Sequence, residues 1–126
     1  MASLREFAQA KKIRSATVDG IGSLKKARLG YFDFEKTRRY TWMELEEDME
    51  VLTLMGNISM KEEAYLPHIH VTLGRKDFTV IGGHLDDGSL ANMLEIVVRK
   101  MPRKLEKVTD EKTGLNLLKL SRRLPA

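Results

Sequence analysis

At 126 residues the chain has room for one domain with a real core and too little for two. Hydrophobic residues at 42% and charged residues at 32% place it among globular sequences, and the absence of cysteine excludes disulfides and thiolate metal sites. The formal charge is +4, but residues 99–126 hold nine Lys/Arg against three Asp/Glu while residues 1–98 hold thirteen against fifteen, so the basic character belongs to the C-terminal quarter. No window approaches the ~18 apolar residues of a membrane span and the N-terminus shows no signal-peptide pattern, so the expectation is a soluble, cytoplasmic protein with no membrane partner.

Ser3 is placed to cap a short helix running through Lys12, with Glu6 completing a capping box and Leu4, Phe7 and Ala8 forming the buried stripe. Residues 13–18 read as a first strand, and residues 19–24 as a glycine-rich turn. A cofactor loop is disfavoured there, because Lys25 stands where a third glycine would be needed. Residues 26–34 and 38–44 alternate like the two arms of a hairpin, with Tyr40 and Trp42 on one face. The acidic run from Glu44 to Glu50 lacks calcium-loop spacing and reads as solvated chain.

Residues 51–55 form a continuous apolar run suited to a central strand covered on both faces, ended or bent at Gly56 and Asn57. After the histidine-bearing stretch comes a turn at Asp86, Asp87 and Gly88. Residues 90–93 are then a short helical or irregular segment, and residues 93–98 a buried strand carrying Glu95 and stopped by Pro102. Residues 104–108 suggest a short strand, residues 110–114 a loop, and Leu115, Leu117, Leu118 and Leu120 an apolar cluster that must dock elsewhere. There is no internal repeat. The expected fold is α+β, a largely antiparallel or mixed sheet of about seven strands with one main N-terminal helix.

All three histidines lie in one predicted hairpin. His68 and His70 are two apart and so share a face of their strand, while His84 ends the returning strand beside Gly82 and Gly83. Converging, they would make a three-imidazole site with an open fourth position. The competing reading is three ordinary polar residues on a half-exposed sheet.

Several short motifs also occur in a particular order: Gly20-Ile21-Gly22-Ser23-Leu24, Leu29-Gly30-Tyr31, Glu50 to Ile58, His68-Ile69-His70, Gly82-Gly83-His84-Leu85 and Leu94-Glu95-Ile96. This ordered set resembles the PPC (plants and prokaryotes conserved) domain, found in plant AT-hook nuclear proteins and as free-standing prokaryotic proteins. The similarity covers residues 4–99, within a single domain of residues 1–126 whose basic segment is 100–126. The resemblance implies an α+β fold, a homotrimer, a DNA-binding or transcription-associated role, and a metal at His68, His70 and His84. With imidazole ligands only, zinc is the first choice among divalent ions, ahead of nickel, copper and iron. The family pattern places a strand and a glycine turn ahead of the first helix, and this sequence starts at that helix.

The chain contains no Arg-Gly-Arg-Pro AT-hook. What could attract phosphates is the set Arg99, Lys100, Arg103, Lys104, Lys107, Arg122 and Arg123, giving weak, salt-sensitive and non-specific DNA contacts. The alternative function is a metal-dependent enzyme acting on a small molecule at the three-histidine site. Glu50 and Glu95, each within an apolar strand, would then be its candidate general acid or base. Assembly is also expected from composition, since the apolar runs at 51–55 and 94–98 and the leucines at 115–120 exceed what one helix can cover.

Overall fold

A computed structural model describes residues 1–119. Among them are one helix, α1 (Ala2–Ala10), and eight strands: β1 (Ala16–Asp33), β2 (Arg39–Leu45), β3 (Met49–Lys61), β4 (Ala64–Gly74), β5 (Val80–Leu85), β6 (Leu90–Lys100), β7 (Lys107–Thr109) and β8 (Asn116–Leu118). The fold is α+β, a mostly antiparallel six-stranded sheet with a separate two-stranded one.

The sheet is organised by β1. Eighteen residues of straight strand would run ~60 Å, so β1 bends, and each half serves different neighbours. Its first half pairs with β3 on one side and β6 on the other. Its second half pairs with β2 and, through Leu29 and Gly30, with β5. Because β3 pairs with β4 and β4 with β5, the circuit β1–β3–β4–β5 closes on itself. The expected turn at residues 19–24 is therefore continuous strand with a bulge between Gly20 and Gly22. Gly22 takes φ +148°, where a Cβ would lie 2.2 Å from the carbonyl oxygen of Met93. The glycines serve a bulge and close strand packing, which look like a turn in sequence.

Alternate residues of these strands enter the core. Val18, Val51, Leu54, Ile58, Ile69, Val71 and Leu73 are each at most 4% exposed. Ala8 of α1 is fully buried in the same cluster, against which Leu4, Leu94 and Val98 pack. Each large side chain so buried contributes roughly 1.5–3 kcal/mol. The run at residues 51–55 is covered on one face only, because Leu52 and Met55 are exposed. Residues 90–93 are strand, not irregular chain, and most of residues 93–98 stay exposed rather than buried. The helix starts and ends two residues earlier than expected: Met1 holds the N-cap position without a side-chain cap bond, and Ser3 lies within the first turn.

β7 and β8 form a hairpin that docks where β1 begins. Met60 N donates to Leu105 O at 2.9 Å, Leu105 N donates to Ser15 Oγ, and Met60 bridges Glu106 in parallel. The expected docked leucine cluster does not form among the described residues: Leu117 and Leu118 pair with Val108 and Lys107 through the backbone, and their side chains stay exposed. Leu120, Arg122 and Arg123 lie outside the described residues. No described helix is long and apolar enough to cross a membrane.

Candidate metal centre

Strand period and register together build the site. Inward residues of β4 (Ile69, Val71, Leu73) fill the core, so His68, His70 and Thr72 must face outward. His70 stands directly opposite His84 of β5. The ladders then set two rows across the outer face. One runs Arg99, Thr17, Asn57, His68, and the other Val97, Asp19, Met55, His70, His84. A side chain at position 56 would obstruct this, since a Cβ on Gly56 would lie 1.9 Å from the His68 carbonyl oxygen. Glycine there lets β3 and β4 approach where the first histidine sits.

The three rings meet. Their centroids are 5.1 Å apart for His68–His70, 5.1 Å for His68–His84 and 5.5 Å for His70–His84. Each offers a nitrogen within 4.8 Å of those of the other two. The Nε2 atoms of His68 and His70 are 3.2 Å apart. Two nitrogens on a tetrahedral zinc, at ~2.05 Å from the ion, would stand about 3.3 Å apart.

The electrostatics suit ligation as well. Burial, assisted by the charge of Lys107 and by the other two rings, pushes His68 down to about 4 from an ordinary 6.5. Burial and His70 also lower His84, with Lys107 adding and Asp86 opposing. Neutral imidazole is the form that binds metal. The His84 Nδ1 is buried and has no hydrogen-bond partner among the described residues. An orphaned ring nitrogen beside two other imidazoles is accounted for by an ion, so the donor set fits a metal. Tyr40 and Trp42 of β2 wall the site, their rings 5.3 and 6.2 Å from that of His84. Arg28 lies over Trp42 at 4.7 Å and pairs with Asp86 at 3.4 Å.

An open cleft of about 650 Å³ adjoins His68 and His70, lined also by Thr17, Asp19, Met55, Asn57 and Arg99. The Asn57 Oδ1 is buried there without a described partner. Glu50 and Glu95 are both exposed. Glu95 lines a neighbouring apolar groove with Ile21, Leu52 and Val97, and neither carboxylate borders the histidine cleft.

The basic residues separate into groups. Arg99 lines the cleft and is ion-paired with Asp19. Lys100, Arg103 and Lys104 are exposed around the end of β6, and Lys104 pairs with Glu106 at 2.5 Å. Lys107 is 8% exposed, with its charge felt by two of the histidines. Its burial sets it apart from the exposed cations. Sequence reasoning missed that placement, along with Asn57, Tyr40 and Trp42. The alternation of Tyr40 with Trp42 showed that they share a face, but no local signal says that His84 lies against it.

The sequence profile of the Plants and Prokaryotes Conserved (PCC) domain matches residues 1–102. No curated protein matches significantly. Among solved structures, a metal-containing protein from Archaeoglobus fulgidus is 38% identical with a TM-score of 0.83, over 94% of this chain and 84% of that one. A proposed DNA-binding protein from Bacteroides thetaiotaomicron is 32% identical with a TM-score of 0.87, over 94% and 82%. A plant- and prokaryote-conserved protein from Pyrococcus horikoshii is 31% identical with a TM-score of 0.86, over 97% and 84%. The ordered glycine and histidine motifs, the closed strand circuit and the profile agree, and the chain belongs to the Plants and Prokaryotes Conserved domain family.

Proposed function

We propose that this protein is a metal-binding module that assembles as a homotrimer, with zinc held by His68, His70 and His84. The observation that carries the reading is the meeting of three imidazoles on one outer face, two of them kept neutral by burial. The metal-containing relative from A. fulgidus supports it. X-ray absorption on zinc-loaded protein tests it, with three imidazole nitrogens expected at ~2.0–2.1 Å. A shell of oxygens alone would reject the assignment.

Assembly is supported by the same face. Ile21, Met55, Met93 and Val97 are 56%, 62%, 58% and 50% exposed, next to the cleft. A monomer gains nothing by leaving so much apolar surface in water. A trimer in light scattering at micromolar concentration is expected, with the histidine site near a subunit boundary. A monodisperse monomer would count decisively against it.

For DNA, the B. thetaiotaomicron relative offers support, and the exposed cations of this chain supply the chemistry. Lys100, Arg103 and Lys104, together with Arg122 and Arg123, give weak binding that falls steeply with salt and reads no sequence. The role we assign is accordingly a metal-binding assembly with non-specific DNA association. The enzyme alternative retains the cleft, but the carboxylate that lines it, Asp19, is ion-paired with Arg99, and neither Glu50 nor Glu95 borders it.

A further inference from the structure

Asn57 carries a buried polar atom that the three ligands leave unexplained. Its Oδ1 is buried and has no hydrogen-bond partner among the described residues. A buried carbonyl oxygen without a donor costs about 1–3 kcal/mol, so its position calls for a partner. The ladders name the neighbours in its row, because Asn57 stands directly between Thr17 of β1 and His68 of β4. Thr17 is exposed, and water can serve its hydroxyl. Arg99, one strand further along the row, is ion-paired with Asp19. Within the row, His68 is the donor that remains.

The His68 ring has a nitrogen to offer. Its Nε2 faces the Nε2 of His70 at 3.2 Å, so these two nitrogens are the pair set toward a shared ion. A neutral imidazole that ligates through Nε2 carries its proton on Nδ1, and a ligating histidine ordinarily gives that second N–H to a fixed acceptor. Asn57 and His68 are directly opposed on one face, where facing Cβ atoms stand ~4.5–5.5 Å apart. The Asn57 Oδ1 and the His68 Nδ1 are each bonded to their own Cγ, so both atoms lie equally far along their side chains. That is the placement a cross-strand hydrogen bond requires. Gly56, with no Cβ against the His68 carbonyl oxygen, lets the two strands close beside this pair.

We propose that Asn57 is a positioning residue of the metal centre: its Oδ1 accepts the Nδ1–H of His68 and so fixes the tautomer that leaves Nε2 free to ligate. The inference rests on the metal reading above and adds to it a residue that does not touch the ion. A neutral amide suits the task, since it orients the ring without bringing a charge of its own to the site. The acceptor comes from β3 and the ligand from β4, so the ladder between these strands holds both members of the pair in register.

Long-range proton–nitrogen NMR of the imidazoles in full-length, zinc-loaded protein provides the test, because the ring shifts report which nitrogen carries the proton. In the parent, His68 should be protonated at Nδ1, with that proton protected from exchange. Asn57→Leu should remove the protection and weaken zinc about ten- to a hundredfold, the usual cost of losing such a partner. Asn57→Asp keeps an acceptor in place and should hold zinc at least as tightly as the parent. Should Asn57→Leu fail to fold, the parent shifts and Asn57→Asp still decide the matter. A His68 protonated at Nε2 in the zinc-bound parent, or equal zinc affinity in a folded Asn57→Leu, would overturn the Asn57 assignment alone. Lost affinity in Thr17→Val with none lost in Asn57→Leu would give the Oδ1 to Thr17 and overturn it likewise. A parent that binds no zinc would overturn the metal reading and this proposal together.

Discussion

The two faces of β3 and β4 carry opposite chemistry on the same backbone. Inward, Val51, Leu54, Ile58, Ile69, Val71 and Leu73 lie at 0–4% exposure and close the core. Outward, the intervening positions hold His68, His70 and Asn57 beside Met55, which is 62% exposed. A period of two lets one pair of strands serve both ends. The difference teaches that stability is carried by the inner residues, whereas the outer ones are free to be chosen for what they bind.

Substitutions that treat the faces separately should therefore give separable effects. The largest is expected inside. Ile58→Ala or Ile69→Ala should destabilise by about 2–5 kcal/mol, from lost burial and the cavity left behind, measured by urea unfolding. Met55→Ser, one face away, should change monomer stability by less than about 0.5 kcal/mol. Equal losses on both faces would break the comparison.

Next comes assembly. Met55→Glu with Val97→Glu places six like charges into the expected trimer, and light scattering should read monomers with an unchanged circular dichroism spectrum. A trimer that survives would move the interface elsewhere.

A smaller effect concerns pH. In metal-free protein His68 titrates near 4 when folded and near 6.5 when unfolded. The unfolded state therefore binds more protons between those values. Stability is present above 6.5 and is lost as pH falls toward 4. Since the ring is only half-buried, solvent screening limits the loss to about 1–2 kcal/mol. His68→Ala should flatten that part of the stability profile, and an unchanged slope would remove His68 as its source.

The smallest is at the exposed cations. Neutralising Arg103 and Lys104 should lower the salt slope of duplex-DNA binding by about 1 per lost phosphate contact, equally for random and AT-rich sequences. Discrimination between the two duplexes that persists at physiological salt would contradict the non-specific reading.

How much of this was legible in the sequence follows from the range of each interaction. The histidine hairpin was readable because its two strands are adjacent in sequence and the spacing of His68 and His70 alone fixes a shared face. The continuity of β1 was not, since Gly20 and Gly22 locally signal a turn. Only pairing to β3 and β6 on both sides turns them into a bulge. Tyr40 and Trp42 come to His84 through closure of β1 onto β5, a contact between distant segments. Lys107 looked like one cation of a basic tail, and its burial depends on where the last hairpin docks.

The central claim is that His68, His70 and His84 hold one metal ion per chain. The direct measurement is zinc stoichiometry in protein purified without a histidine tag, dialysed against excess zinc and then against buffer. We predict close to one zinc per chain in the parent, and close to none in His68→Ala, His70→Ala and His84→Ala, with the fold of each retained. A parent that holds no zinc, or variants that hold as much as the parent, would contradict the account.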